Sequence, residues 1–156
     1  GTSEIAVAIA GEDFSFYYFE GKKETGNADL HITSTRFDEP AALELVKQSE
    51  IVVAIHGLQE EKEVIYVGGR DRELKMELIS ALTQAGFEAK EDNSHHAGTF
   101  SSNICNRGTS GKGVQLEISH GLRRTMFEGL NRTGRQETKQ PFHDLVGTLR
   151  RVLLTI

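Results

Sequence analysis

Ile51-Val52-Val53-Ala54-Ile55-His56-Gly57 is the stretch on which the fold turns. Its first five residues are apolar, and all but Ala54 are β-branched. The run is too short for a helix and shows no polar alternation, so it reads as a central strand covered on both faces. His56 and Gly57 follow at the carboxyl end, where ligands gather in open α/β sheets.

Working outward, residues 64–67 read as a second strand, ended by Gly68-Gly69. Residues 72–85 have the period of an amphipathic helix, closed by Gly86. A short strand over 87–90 leads into a long polar loop, 93–112, and long loops inside compact domains are often functional. Residues 114–118 form another strand, and 122–130 and 142–154 are helices. Upstream, 39–48 is helical, with Ala42, Leu45 and Val46 on one face. Residues 3–11 form a short helix with Ser3 as its cap and Gly11 at its end, and 14–19 and 30–34 look like strands. The prolines, Pro40 and Pro141, each stand where a helix begins. Alternating strands and helices predict an α/β fold in three layers, a sheet with helices on both faces, built as one domain over residues 1–156.

The bulk properties agree. A chain of 156 residues, 37% hydrophobic and 26% charged, can bury one core. No apolar run is long enough to cross a bilayer, and residues 1–11 lack the basic start and apolar stretch of a signal peptide. Cys105 is the single cysteine, so no internal disulfide is possible. That fits a cytoplasmic protein or a phage enzyme released by lysis and leaves localisation open. The net charge of −5 is unevenly spread: residues 1–106 carry 9 basic and 19 acidic side chains, residues 107–156 carry 9 and 4. The basic third either attracts a polyanion or consists of solvated helix faces.

Several residues could carry chemistry. His56 could bind a metal or move a proton, or be a hydrogen-bonded structural histidine. Glu117 lies among the apolar neighbours of Val114-Gln115-Leu116-Glu117-Ile118. Burial there would raise its pKa into the range of a general base, unless it faces water from an edge strand. Asn106-Arg107, within Asn103-Ile104-Cys105-Asn106-Arg107-Gly108, could grip a carboxylate with a guanidinium fork and an amide donor, or simply solvate the loop. Cys105 reads as a packed thiol. His95-His96 read as loop residues, His120 and His143 as helix-surface residues, and His31 as either a site residue or a satisfied core histidine. Gly68-Gly69-Arg70-Asp71 has neither phosphate-loop nor dinucleotide spacing; it reads as a tight turn in which Asp71 or Arg70 caps a helix or touches substrate.

Taken in order, several segments resemble one family. They are Gly1-Thr2-Ser3-Glu4-Ile5-Ala6, Asp29-Leu30-His31-Ile32-Thr33-Ser34-Thr35, Phe37-Asp38-Glu39-Pro40, Ile55-His56-Gly57, Tyr66-Val67-Gly68-Gly69-Arg70-Asp71, the Asn103-to-Gly108 run and Gly113-Val114-Gln115-Leu116-Glu117. The set resembles the phage and bacillus poly-γ-glutamate hydrolases and spans nearly the whole chain. The resemblance implies a fold similar to the zinc carboxypeptidases, with a mixed central sheet and one catalytic zinc held by two His and one Glu. It implies that His56 is a zinc ligand and Glu117 the general base and acid. It also implies that Asn106 and Arg107 bind a substrate carboxylate. Family members carry a His-Gly-Gly-x-Ile-Glu run just ahead of the segment at which this chain opens, and that run supplies the other two ligands; Glu4 belongs to the following helix. Either the parent protein contains it, which we expect, or the chain is a truncated homologue without activity. Without the strand leading into it, the sheet should show unpaired edges and a cavity.

Three functions compete at this level. One is a zinc hydrolase of polyanionic poly-γ-glutamate, with Arg70 also touching substrate. Another is an amidase or carboxypeptidase for other peptides, such as cell-wall γ-glutamyl links. The third is a non-catalytic, phage-related binding protein. Its nucleic-acid version is disfavoured by a pI near 5.7. The sequence leaves oligomeric state open.

Overall fold

The computed structural model describes every residue of the chain except Glu24, His95 and His96. Four strands form a mixed sheet: β1 (Val53–Leu58), β2 (Ile65–Gly69), β3 (Ala89–Glu91) and β4 (Val114–Ser119), in the order β1-β4-β2-β3. β1 runs parallel to β4 and β3 parallel to β2, while β2 and β4 are antiparallel. Five α-helices accompany them: α1 (Thr2–Ala10), α2 (Pro40–Gln48), α3 (Arg72–Gln84), α4 (His120–Met126) and α5 (Gln140–Leu153). Among the described residues, no helix is long and apolar enough to cross a membrane.

Side chains alternate across a strand, so register sorts the sheet into two unlike faces. Val53 and Ile55 of β1, Val114, Leu116 and Ile118 of β4, and Ile65 and Val67 of β2 share one face and enter the core. Helices cover that face, contributing Ile5 and Ile9 from α1, Leu74, Leu78 and Leu82 from α3, Leu122 and Met126 from α4, and Leu145 and Leu149 from α5. The opposite face carries Ala54, His56, Gln115, Glu117, Tyr66 and Gly68. Its cover is the loop between β3 and β4, whose one-turn 3-10 helix (Ile104–Asn106) touches β1 and β4.

The helix ends follow local chemistry. Glu39 caps α2 by accepting from the amides of Ala41 and Ala42, with Pro40 in the first turn. Asp71 caps α3 through Leu74 N–H, as its place after Gly68-Gly69 suggested. Gly69 has φ +105°, and a Cβ there would lie 2.2 Å from the Gly113 carbonyl oxygen, so only glycine fits.

Four expectations need correction. Residues 14–19 and 31–34 form no strand, and residues 27–30 make a 3-10 turn. The aromatic segment packs through ring contacts instead, Phe16 on Tyr18 and Tyr17 against Phe37. Ser3 does not cap α1; Gly1 occupies that position and the Ser3 hydroxyl donates to the Glu4 carboxylate. The 51–57 stretch holds the outermost strand of the sheet, not a central one, and His56 sits inside β1, not after its end. Along the outer edge of β1 runs a groove of about 640 Å³, lined by α1, α2 and the aromatic segment. The outer edge of β1 pairs with no strand among the described residues.

Candidate active site

The site is assembled by register. His56 on β1, Glu117 on β4 and Tyr66 on β2 are ladder partners, so their side chains form one row on the polar face. Neighbouring strands lie about 4.8 Å apart, which brings the imidazole and the carboxylate side by side. The next row along the same face is Ala54, Gln115 and Gly68.

His56 is sequestered, and its Nε2 is buried without a hydrogen-bond partner among the described residues. An orphaned nitrogen of this kind costs roughly 1–3 kcal/mol. Burial, and then the charge of nearby His31, push its pKa down, so the neutral, lone-pair-bearing form prevails. His31 itself is exposed and lines the same groove at β1.

Glu117 has its pKa pushed up to about 7, first by burial and then by the negative charge of Asp92. Asp92 is itself buried at the end of β3, where its carboxylate accepts from Ser94 N–H. Glu117 Oε1 accepts a hydrogen bond of 3.3 Å from the Gln115 side-chain amide. Tyr66, Asp92 and Gln115 are neighbours that sequence reasoning missed. The period-two alternation of β4 placed Gln115 beside Glu117 in plain view, whereas Asp92 is brought in by the β2–β3 pairing.

The other anticipated residues gather in a second group. Asn106 is 3% exposed. Its Oδ1 accepts from Arg70 N–H and Gly113 N–H, and its Nδ2 donates to the carbonyls of Gly98 and Phe100. The amide expected to meet a ligand is thus fully engaged by the loop. Arg107 is half-buried and donates from Nη1 to the Phe37 carbonyl. Arg70 is exposed, one residue beyond the β2 terminus. Its backbone lies four positions along from Tyr66, or about 13 Å at strand rise. Cys105 is fully buried with its thiol pushed up to about 12 by burial, a packed side chain and not a nucleophile. His120 pairs with Glu61 at the surface and His143 meets Thr138. His95-His96 lie outside the described residues.

Zinc can be tested against these donors. A buried, neutral, unpartnered imidazole nitrogen fits one coordination position. Among the described residues no three His, Cys, Asp or Glu side chains converge, so they do not by themselves make up the usual set of three donors.

Comparison with known proteins accords with this geometry. The chain is 42% identical over 156 residues to the SPbeta prophage-derived UPF0714 protein YoqZ of Bacillus subtilis (strain 168), covering 98% of this chain and 57% of that protein. It is 45% identical over 129 residues to UPF0714 protein YndL of the same organism, covering 81% of this chain and 51% of the relative. The chain therefore spans about half the length of these relatives. Among solved structures, a bacteriophage poly-gamma-glutamate hydrolase superposes with a TM-score of 0.96 at 33% identity, covering 99% of this chain and 77% of that one. A zinc-free apo form of YndL superposes at 0.94 with 38% identity and the same coverage. The poly-gamma-glutamate hydrolase family model matches residues 1–148, and the chain belongs to that family.

Proposed function

We propose that the protein is a zinc-dependent hydrolase of γ-glutamyl amide bonds, acting on poly-γ-glutamate. The observation that carries this reading is the pairing, on adjacent strands, of an unpartnered buried imidazole nitrogen with a carboxyl group whose pKa is near 7. A base of that pKa is close to balanced between taking and giving a proton at neutral pH. Zinc, when bound, supplies Lewis-acid polarisation of the scissile carbonyl. His56 would hold it through Nε2, with the remaining donors from outside the described residues. Glu117 takes a proton from the attacking water and passes it to the leaving amine nitrogen. Arg107 and Arg70 bind substrate carboxylates further along the sheet, and Asn106 fixes the loop and the Arg70 backbone between them.

The test is hydrolysis of poly-γ-glutamate by the full-length protein with zinc supplied, run beside a cell-wall γ-glutamyl peptide. Glu117→Gln should reduce kcat by about 1,000-fold while zinc content is retained, the range expected for loss of a general base. Turnover within a few-fold of wild type would remove Glu117 from that role. Cleavage of the cell-wall peptide alone would reassign the substrate.

A further inference from the structure

A carboxylate that must take a proton from one side and deliver it to another works only if its oxygens are aimed. Glu117 reaches the polar face from β4, and its Oε1 is gripped by Gln115 Nε2, two residues earlier on the same strand and face. An amide side chain can point either way, oxygen or nitrogen first, and the partner of Gln115 decides which. Asn103 Nδ2 donates to Gln115 Oε1 at 3.0 Å, which turns the nitrogen of Gln115 toward Glu117. Asn103 is fixed in the same way, because its Oδ1 accepts from Cys105 N–H at 3.1 Å. The orientation thus passes from a backbone amide through two side-chain amides to the carboxylate. Gln115 is 3% exposed and Asn103 5%, so water does not compete for these bonds. The loop is shaped for the contact: Gly98 has φ +65°, and a Cβ there would sit 2.5 Å from Gln115 Oε1.

We propose that Gln115, oriented by Asn103, is the positioning residue of Glu117, holding Oε1 so that Oε2 is the oxygen presented to water and leaving group. This rests on the reading of Glu117 as base. A neutral amide suits the task, since it fixes the carboxylate without the opposing charge that an Arg or Lys would bring. Gln115 does not itself touch the reacting atoms.

The experiment uses the full-length protein with zinc supplied and two variants. Gln115→Met keeps the bulk and removes the donor. Asn103→Asp keeps the acceptor for Cys105 N–H but removes the donor that orients Gln115. Both should lower kcat by about 100-fold and leave KM within about threefold, as expected for a misaimed catalytic group. In the crystal structure of Gln115→Met the Glu117 carboxylate should occupy more than one position. Gln115→Met added to Glu117→Gln should cost no further activity. Unchanged kcat, a single unmoved Glu117, or a KM that rises in step with the loss of kcat would overturn the proposal; the last would make Gln115 a substrate ligand. If Glu117→Gln alone keeps wild-type kcat, the base reading fails, while the position of Glu117 in Gln115→Met still decides whether Gln115 holds it. Should Gln115→Met not fold, Asn103→Asp decides by the same readouts.

Discussion

At the scale of single residues, His56 carries a cost in stability. Its buried Nε2 has no partner among the described residues, and an unsatisfied buried nitrogen destabilises the fold. His56→Leu should therefore stabilise the metal-free protein by about 1 kcal/mol in denaturant unfolding, by removing an unsatisfied polar atom. Adding zinc should reverse the order, raising the wild-type midpoint and leaving the variant unmoved. A zinc-dependent rise in the variant would show that His56 is not needed to hold the ion. His56 and Glu117 were legible in the sequence because each stood out as polar in an apolar run. What the run could not disclose was their adjacency, which depends on β1 pairing in parallel with β4, the first partners Val53 and Val114 lying 61 positions apart in the chain with β2, α3 and β3 between them. The surroundings of Asn106 were hidden for a related reason. Its type suited a ligand contact, and only the fold shows that Arg70 N–H, Gly113 N–H and the carbonyls of Gly98 and Phe100 meet its side chain.

At the scale of elements, strong periodicity survived and aromatic content misled. α3 and α5 form nearly where the apolar period placed them, at Arg72–Gln84 and Gln140–Leu153. Residues 14–19 have the composition of a strand but pair with no strand among the described residues, and the rings of Phe16 and Tyr18 stack on each other. The start of α3 is set by Asp71, which is 4% exposed, accepts from Leu74 N–H and faces Lys112 Nζ at 3.9 Å. Asp71→Ala should destabilise the protein by about 1–2 kcal/mol, the usual cost of a lost N-cap, measured as a shift in the urea midpoint at constant m-value. Asp71→Asn should recover most of that loss, since the acceptor oxygen remains. No recovery would assign the effect to the charge.

At the scale of the whole molecule, the division of charge bears on how a polyanionic chain would arrive. Residues 107–156 hold five more basic than acidic side chains, and residues 1–106 hold ten more acidic than basic. Steering by the basic third would make kcat/KM on poly-γ-glutamate fall by about tenfold between low and physiological salt, with kcat little changed. A salt-independent kcat/KM would mean that those charges serve only to solvate helix faces. The unpaired flank of β1 has a consequence of another kind. In a parallel strand, successive amides point alternately to the neighbour and away from it. Val114 N–H donates to the Val52 carbonyl, which sets the phase: the amides of Ala54 and His56 face β4, while those of Val53, Ile55 and Gly57 point away from it. Deuterium uptake along β1 should then read as a comb, rapid at Val53, Ile55 and Gly57 and slow at Ala54 and His56, even though the Ile55 side chain packs against the core. Any polypeptide that lies down along that flank would erase the comb, so the exchange pattern of five consecutive amides would report whether it is covered.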